Sequence, residues 1–212
     1  MQQQENIPIL MADLSGYSAL TETHGAVSAA DLIDKYVAIV KDCLVGDSQL
    51  TERVGDEVMI ISASADHLLS TAAMIIQKTS KEDNFLQVHG DLHYGEILRR
   101  NNSFFWSTIN VTARITKKAN PGTFWCSEDF MNALENKSLF NFQAKGRHTF
   151  KNISEEKEIA ELVIERREDF FVDPVCNMLI LNKEIATKHP ESEEIYFCCH
   201  SCLDIYTANK RA

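Results

Sequence analysis

From Ile7 to Ile164 strand-like runs alternate with helix-like ones, which restricts the chain to architectures in which helices pack on a sheet. Ile7 to Ala12 is a short apolar run stopped by Asp-Leu-Ser-Gly. Helical spacing follows in Ala29 to Leu44, where Leu32, Ile33, Tyr36, Val37, Val40 and Leu44 share one face. Gln49 to Arg53 and Val58 to Ser62 are β-leaning and join through Gly55-Asp56, a pair suited to a tight hairpin turn. Asp66 stands where an N-cap would start a helix through Lys78. Leu86 to Leu98 alternates as a strand does, Thr108 to Lys118 reads as a helix, and Thr123 to Cys126 is another short strand after the Pro121-Gly122 turn.

With a second hairpin near Asn101-Asn102, the pattern predicts an α+β or α/β sandwich, and a ferredoxin-like βαββαβ core is its preferred member. Strands between Phe140 and Ile164 end this unit, and a charged linker, Glu165 to Asp169, follows. The boundary is placed between residues 1–167 and 168–212. The second unit, about 45 residues, is near the size below which an apolar core alone rarely suffices, so a metal site is an economical way to fold it. Its cysteines fit: four of the six (Cys176, Cys198, Cys199, Cys202) cluster there, whereas Cys43 and Cys126 stand alone among apolar residues. The net charge of −10 excludes a protein that coats nucleic acid. No run approaches the roughly 18 apolar residues of a membrane span, and the N-terminus lacks a basic, then apolar, leader, so a soluble, cytoplasmic protein is expected.

Two acids sit where strands stop: Asp13 in Met-Ala-Asp-Leu-Ser-Gly-Tyr and Asp56 in Arg-Val-Gly-Asp-Glu-Val-Met. If their strands are neighbours the carboxylates converge, as hard divalent ions engaged in phosphate chemistry require. The residues equally allow Asp13 as a helix cap and Asp56 as a turn residue. In Ile109-Asn-Val-Thr-Ala-Arg114, Asn110 and Arg114 are four apart and project from one helix face, able to grip a ribose oxygen and a phosphate.

Taken in order, Asp13-Leu-Ser-Gly-Tyr17, Gly55-Asp56-Glu-Val-Met59, His93-Tyr-Gly95-Glu-Ile97, Ile109-Asn110 to Arg114, Pro121-Gly122 to Ser127 and Phe150-Lys151-Asn152-Ile153 resemble the class III nucleotidyl cyclase catalytic domain over roughly residues 7–164. The resemblance implies that Asp13 and Asp56 bind two Mg²⁺ or Mn²⁺ ions, that Asn110 orients the ribose, and that Arg114 and Lys151 stabilise charge on the phosphates of ATP or GTP. It also implies a head-to-tail homodimer, metals from one chain and the Asn/Arg/Lys set from the other. The two base-reading positions hold Glu52 and Ser103. A carboxylate at Glu52 accepts from the guanine N1–H and N2 amine and leans guanylyl; Ser103 is indifferent. Trp106 and Asn152 stand where the family commonly has Gly.

Asp173-Pro-Val-Cys176-Asn-Met178 followed by Tyr196-Phe-Cys198-Cys-His-Ser-Cys202 resembles the YHS domain over about residues 169–209. Cys176, Cys198 and Cys202 offer three soft thiolates, and His200 or Cys199 a fourth ligand, a set suited to Zn²⁺ or Cu⁺. His24, His67 and His148 read as surface or helix positions, and His89 and His93 as polar-face packing in preference to a metal pair. The expectation is a homodimeric purine nucleotide cyclase of signal transduction with a metal- or redox-responsive tail. The rival reading is a weak or inactive cyclase-fold adaptor that binds nucleotide.

Overall fold

A computed structural model describes residues 2–100, 103–105, 107–151, 153, 155–164, 171–180 and 183–209, apart from the side chains of 2–4, 98–100, 103–105, 107, 139 and 179. Strand β1 (Gln2–Leu14) leads into helix α1 (Tyr17–Asp42), and β2 (Gln49–Val54) and β3 (Glu57–Ile61) form the expected hairpin. Helix α2 (Ala65–Thr79), the two-residue β4 (Phe85–Leu86), β5 (Val88–Arg100) and β6 (Ser103–Phe105) follow. Then come α3 (Ser107–Thr116), β7 (Phe124–Ser127), α4 (Glu128–Ala133), β8 (Asn141–His148) and β9 (Lys157–Val163).

The main sheet runs β2-β3-β1-β5-β7-β9-β8, with β6 folded back on β5. Its first half, β1-α1-β2-β3-α2-β5 in the spatial order β2-β3-β1-β5, is the ferredoxin-like arrangement expected. The six-element core covers only half of the sheet, because β7 joins parallel to β5 through the α3 crossover and β9 and β8 extend it. Such a crossover has to pass over one face of the sheet.

Strand parity sorts the two faces. On β1, Leu10, Ala12 and Leu14 enter the large core beneath α1 and α2, with Leu32, Ile33, Tyr36 and Val40 of α1. Ile9 and Met11 point to the opposite face, against Ile109 and Ala113 of α3. Asp13 therefore continues the row on the α3 face. Helix α1 begins twelve residues before the predicted start and breaks at Gly25 (φ 81°, ψ 170°). Its first part has Leu20 as its one fully buried residue, too little apolar signal to read as a helix. Helix α2 is capped by Ser64, whose hydroxyl accepts from the His67 N–H, and not by Asp66. The Asp66 carboxylate instead accepts the N–H groups of Glu135 and Asn136, at 2.9 and 3.0 Å.

The tail contributes β10 (Phe171–Val172), β11 (Met178–Ile180), β12 (Thr187–Lys188), β13 (Tyr196–Phe197) and α5 (His200–Asn209). Strand β11 pairs with both β10 and β4, and Met178 packs against the large core, so the tail is stitched to the sheet-bearing part. No helix among the described residues is long and apolar enough to cross a membrane.

Where β5, β1 and β7 lie side by side, a β-carbon on Gly90 would collide with the Phe124 ring and the Met11 carbonyl oxygen. Backbone cannot yield there as a flexible side chain would. Gly90→Ala is expected to cost about 1–3 kcal/mol and to lower Tm by roughly 2–10 °C in a thermal melt.

Candidate active site

Antiparallel pairing of β1 with β3 sets Ala12 opposite Val58 and so brings the end of β1 beside the Gly55-Asp56 turn. The carboxyl groups of Asp13 and Asp56 come close enough there to shift each other's titration. The Leu14 N–H donates to Asp13 Oδ1 at 3.1 Å. Burial, then the hydrogen bond and charge of Asp13, push the Asp56 carboxyl up to about 7. Burial raises Asp13 as well, and its interaction with Asp56 pulls it part of the way back. Glu57, also raised by burial, completes an acidic end that Lys117 partly offsets. Beneath it the buried Tyr36 hydroxyl has no hydrogen-bond partner among the described residues, and burial and these three acids raise its pKa. Convergent, partly buried carboxyls of this kind are suited to a hard divalent cation. The helix-cap reading of Asp13 falls away: the N-cap position of α1 is Gly16, with no side-chain cap.

The other predicted groups do not join this pair within one chain. Helix α3 packs by Ile109 and Ala113 on one flank and Val111 and Ile115 on the other, leaving Asn110 exposed and Arg114 half-buried. Its start is fixed where the Thr108 hydroxyl donates to the Glu96 carbonyl at 2.6 Å. Glu96 lies seven residues along β5 from His89, the partner of Asp13, or roughly 23 Å at about 3.3 Å per residue. Asn110 is thus far from the aspartates of its own chain. Glu52 is exposed on the edge strand β2, and Lys151 is exposed in the turn after Phe150. The Ser103 backbone opens β6 opposite Arg100, but its side chain lies outside the described residues, as do Trp106 and Asn152.

The histidines of β5 serve packing, as expected. His93 is buried and shares a 2.6 Å hydrogen bond with the Ser127 hydroxyl, and burial drives its pKa down to about 4. His89 shares a 2.8 Å hydrogen bond with Ser15 in the turn after Asp13.

In the tail, Cys198 Sγ lies 3.6 Å from Cys176 Sγ and 3.6 Å from Cys202 Sγ, so the three predicted thiols do converge. His200 is exposed and outside the cluster. The imidazole that meets the thiols is that of His24, with Nε2 3.6 Å from both Cys198 Sγ and Cys202 Sγ. Hydrogen bonding from Cys198 draws the Cys176 thiol down to about 6, while the Cys176 hydrogen bond raises Cys198 and burial raises Cys202. The buried Asp173, unmarked by sequence reasoning as a functional group, accepts N–H bonds from Val175, Cys176 and Cys198 at 2.8, 3.3 and 2.7 Å. It thereby pins both cysteine-bearing loops.

No protein-family model matches the chain. An uncharacterised protein of Mycobacterium tuberculosis is 33% identical over 112 residues, 52% of this chain and 30% of its own length. An adenylate cyclase of Glutamicibacter nicotianae is 27% identical over 135 residues, 63% of this chain and 34% of its own. The chain thus spans about a third of the length of the curated relatives it matches. Among solved structures, the adenylyl cyclase CyaB of P. aeruginosa superposes with a TM-score of 0.66 at 17% identity, over 79% of this chain and 98% of that one. The fold is that of class III cyclase catalytic domains.

The raised Asp56 carboxyl has a measurable sign. A carboxyl raised to about 7 in the folded chain holds its proton there after the unfolded chain, at about 4, has lost it. Stability from this group therefore falls as pH rises from about 4 to 7. Without added divalent ions, Asp56→Asn should gain in Tm relative to wild type as pH climbs across that window; parallel Tm curves would refute the raised carboxyl.

Proposed function

We propose that this chain is a class III purine nucleotide cyclase, converting ATP or GTP to the 3′,5′-cyclic nucleotide and pyrophosphate. The observation that carries the reading is the convergence of Asp13 and Asp56 at the end of β1 in a cyclase fold. Two Mg²⁺ or Mn²⁺ ions held by these carboxylates would supply activation of the ribose 3′-hydroxyl and neutralisation of the triphosphate. Asn110 orients the ribose, and Arg114 and Lys151 offset charge that grows on the phosphates as pyrophosphate leaves. The strand length between Asn110 and the aspartates supports a head-to-tail homodimer, each site drawing its acids from one copy and its Asn/Arg/Lys set from the other.

On base choice two lines of support diverge. The name of the Glutamicibacter nicotianae relative favours ATP, whereas an exposed carboxylate at Glu52 matches the donor edge of guanine and favours GTP. Ser103 holds the second base-reading position and favours neither purine. Residues 1–167 form the cyclase homology domain and residues 168–212 a YHS-type module. The module's thiols, close enough to share a Zn²⁺ or Cu⁺ ion, support a metal- or redox-responsive role in signalling.

The test is mass detection of cyclic nucleotide from purified protein with Mn²⁺ and ATP or GTP. Asp13→Ala and Asp56→Ala are each expected to lower turnover by roughly 10³-fold, the scale of several kcal/mol at about 1.4 per decade. Mixing Asp13→Ala with Asn110→Ala should restore about a quarter of wild-type activity, since half of randomly paired dimers hold one intact site of two. Product persisting in both aspartate variants would overturn the metal assignment, and failure of the mixture would overturn the shared site. Wild type without product would leave the nucleotide-binding adaptor. Glu52→Lys should raise the ATP:GTP rate ratio, and an unchanged ratio would remove Glu52 from base reading.

A further inference from the structure

Sequence reasoning set His24 aside as a surface or helix residue, yet its ring stands among thiols that follow it by more than 150 residues. A tetrahedral Zn²⁺ has Zn–S bonds of about 2.3 Å and Zn–N bonds of about 2.0–2.1 Å, which fix the ligand–ligand edges at about 3.8 Å (S···S) and 3.6 Å (S···N). Four edges of such a figure are present: Cys176–Cys198, Cys198–Cys202, Cys198–His24 and Cys202–His24, all at 3.6 Å. A disulfide would need about 2.05 Å between sulfurs, and all six cysteines are free.

The competing donors are spoken for or more exposed. Both oxygens of Asp173 are engaged by backbone N–H groups, so it positions the loops and leaves the ion to others. His200 is exposed. Cys199 also lies within 4.8 Å of His24, Cys198 and Cys202, but it is half-exposed, its sulfur 3.8 Å from that of the adjacent Cys198, and so is a weaker fourth thiol than the fully buried Cys176.

The geometry points to a single Zn²⁺ site formed by Cys176, Cys198 and Cys202 of the tail and His24 of α1, one that clamps the tail onto the segment leading from Asp13. This rests on reading the tail as a soft-metal module and is independent of whether the chain turns over nucleotide. The clamp has two jaws. His24 precedes Gly25, where α1 breaks at a positive φ with open space around it, so the residue 17–24 piece is not held in line by the rest of the helix. At the other end of that piece, Gly16 (φ 93°) lies under the side chain of Asn177, which occupies the space a β-carbon would need. The tail thus contacts both ends of a short helix that has no side-chain N-cap and that follows the Asp13-Leu14-Ser15 turn directly. An ion at the thiols and His24 holds that helix, and through it the turn, in place.

The experiment uses the full chain, with Zn²⁺ titration under reducing conditions and Co²⁺ as a spectroscopic stand-in. One Zn²⁺ per chain is expected, with visible Co²⁺ bands of a tetrahedral three-sulfur, one-nitrogen set. His24→Ala should weaken Zn²⁺ binding by more than the roughly 10–100-fold that loss of an outer-shell partner costs and should alter the Co²⁺ bands. His24→Cys should restore tight binding with a four-sulfur spectrum, which separates loss of a ligand from misfolding. Zn²⁺ should slow amide exchange over residues 15–24 in wild type and not in His24→Ala. Unchanged affinity and Co²⁺ spectrum in His24→Ala, or the same loss in His200→Ala or Cys199→Ser, would overturn the bridging site while leaving metal in the tail. Wild type that binds no Zn²⁺ would overturn the tail reading and this inference together, with the cyclase assay untouched.

Discussion

Along β1 and β5 each residue from Gln2 to Leu14 faces one from Arg100 back to Val88, in a register without slip. Because side chains alternate with a period of two, that ladder decides which residues of either strand face α1 and α2 and which face α3. A slip of one residue would bury Asp13 under α1 and turn Leu10 and Ala12 toward α3. The ladder also serves as the template for its neighbours: β3 adds to β1 on one side and β7 to β5 on the other. Only with β3 in place does the Gly55-Asp56 turn reach the end of β1, so the acidic pair is a consequence of central sheet register and not of any local motif.

The price of that convergence is electrostatic. Asp13, Asp56 and Glu57 are all raised chiefly by burial, and neighbouring acids add to the rise of Asp56 and Glu57. A group arranged so that it is comfortable only with a bound positive charge is poised for a ligand in a way that a salt-bridged carboxylate is not. Asp47 makes the contrast: hydrogen bonds from His67, Ser62 and the Ala63 N–H hold its carboxyl well below the ordinary range, and it has nothing left to offer a cation.

Much of this was legible in the sequence, and the failures have definite causes. The hairpin, the β5 alternation and the helix face carrying Asn110 and Arg114 follow from period and turn chemistry, which are local. The β7-β9-β8 extension is not local, since nothing in four-residue β7 announces which strand it will join. Ser64 outcompeted Asp66 as a cap because a carboxylate two residues in is better used on the Glu135 and Asn136 N–H groups, and that partner lies some seventy residues away. His200 looked like a ligand for being between two cysteines. His200 instead opens α5 with its side chain exposed, whereas Cys198 precedes the helix and Cys202 is buried within it. His24 could not have been chosen from sequence, because its place depends on how β11 docks on β4.

The stretch from Ser15 to His24 is where the two parts of the molecule meet most consequentially. Ser15 is held to the sheet by its N–H to the Gln87 carbonyl and by His89, but the helix after it has one fully buried residue, no capping side chain and a break at Gly25. Segments so sparsely anchored lie at the low end of local stability and are where a distant contact shifts a conformation most cheaply. Asp13 itself is fixed by the β1–β5 ladder up to Leu14, so the ladder secures the carboxylate while the tail bears on the turn beyond it. On the proposed reading, loss of the thiol-bound ion would leave the acidic pair formed and alter the approach to it, a separation that confines metal sensing to access and dimer geometry and spares the chemistry of the carboxylates.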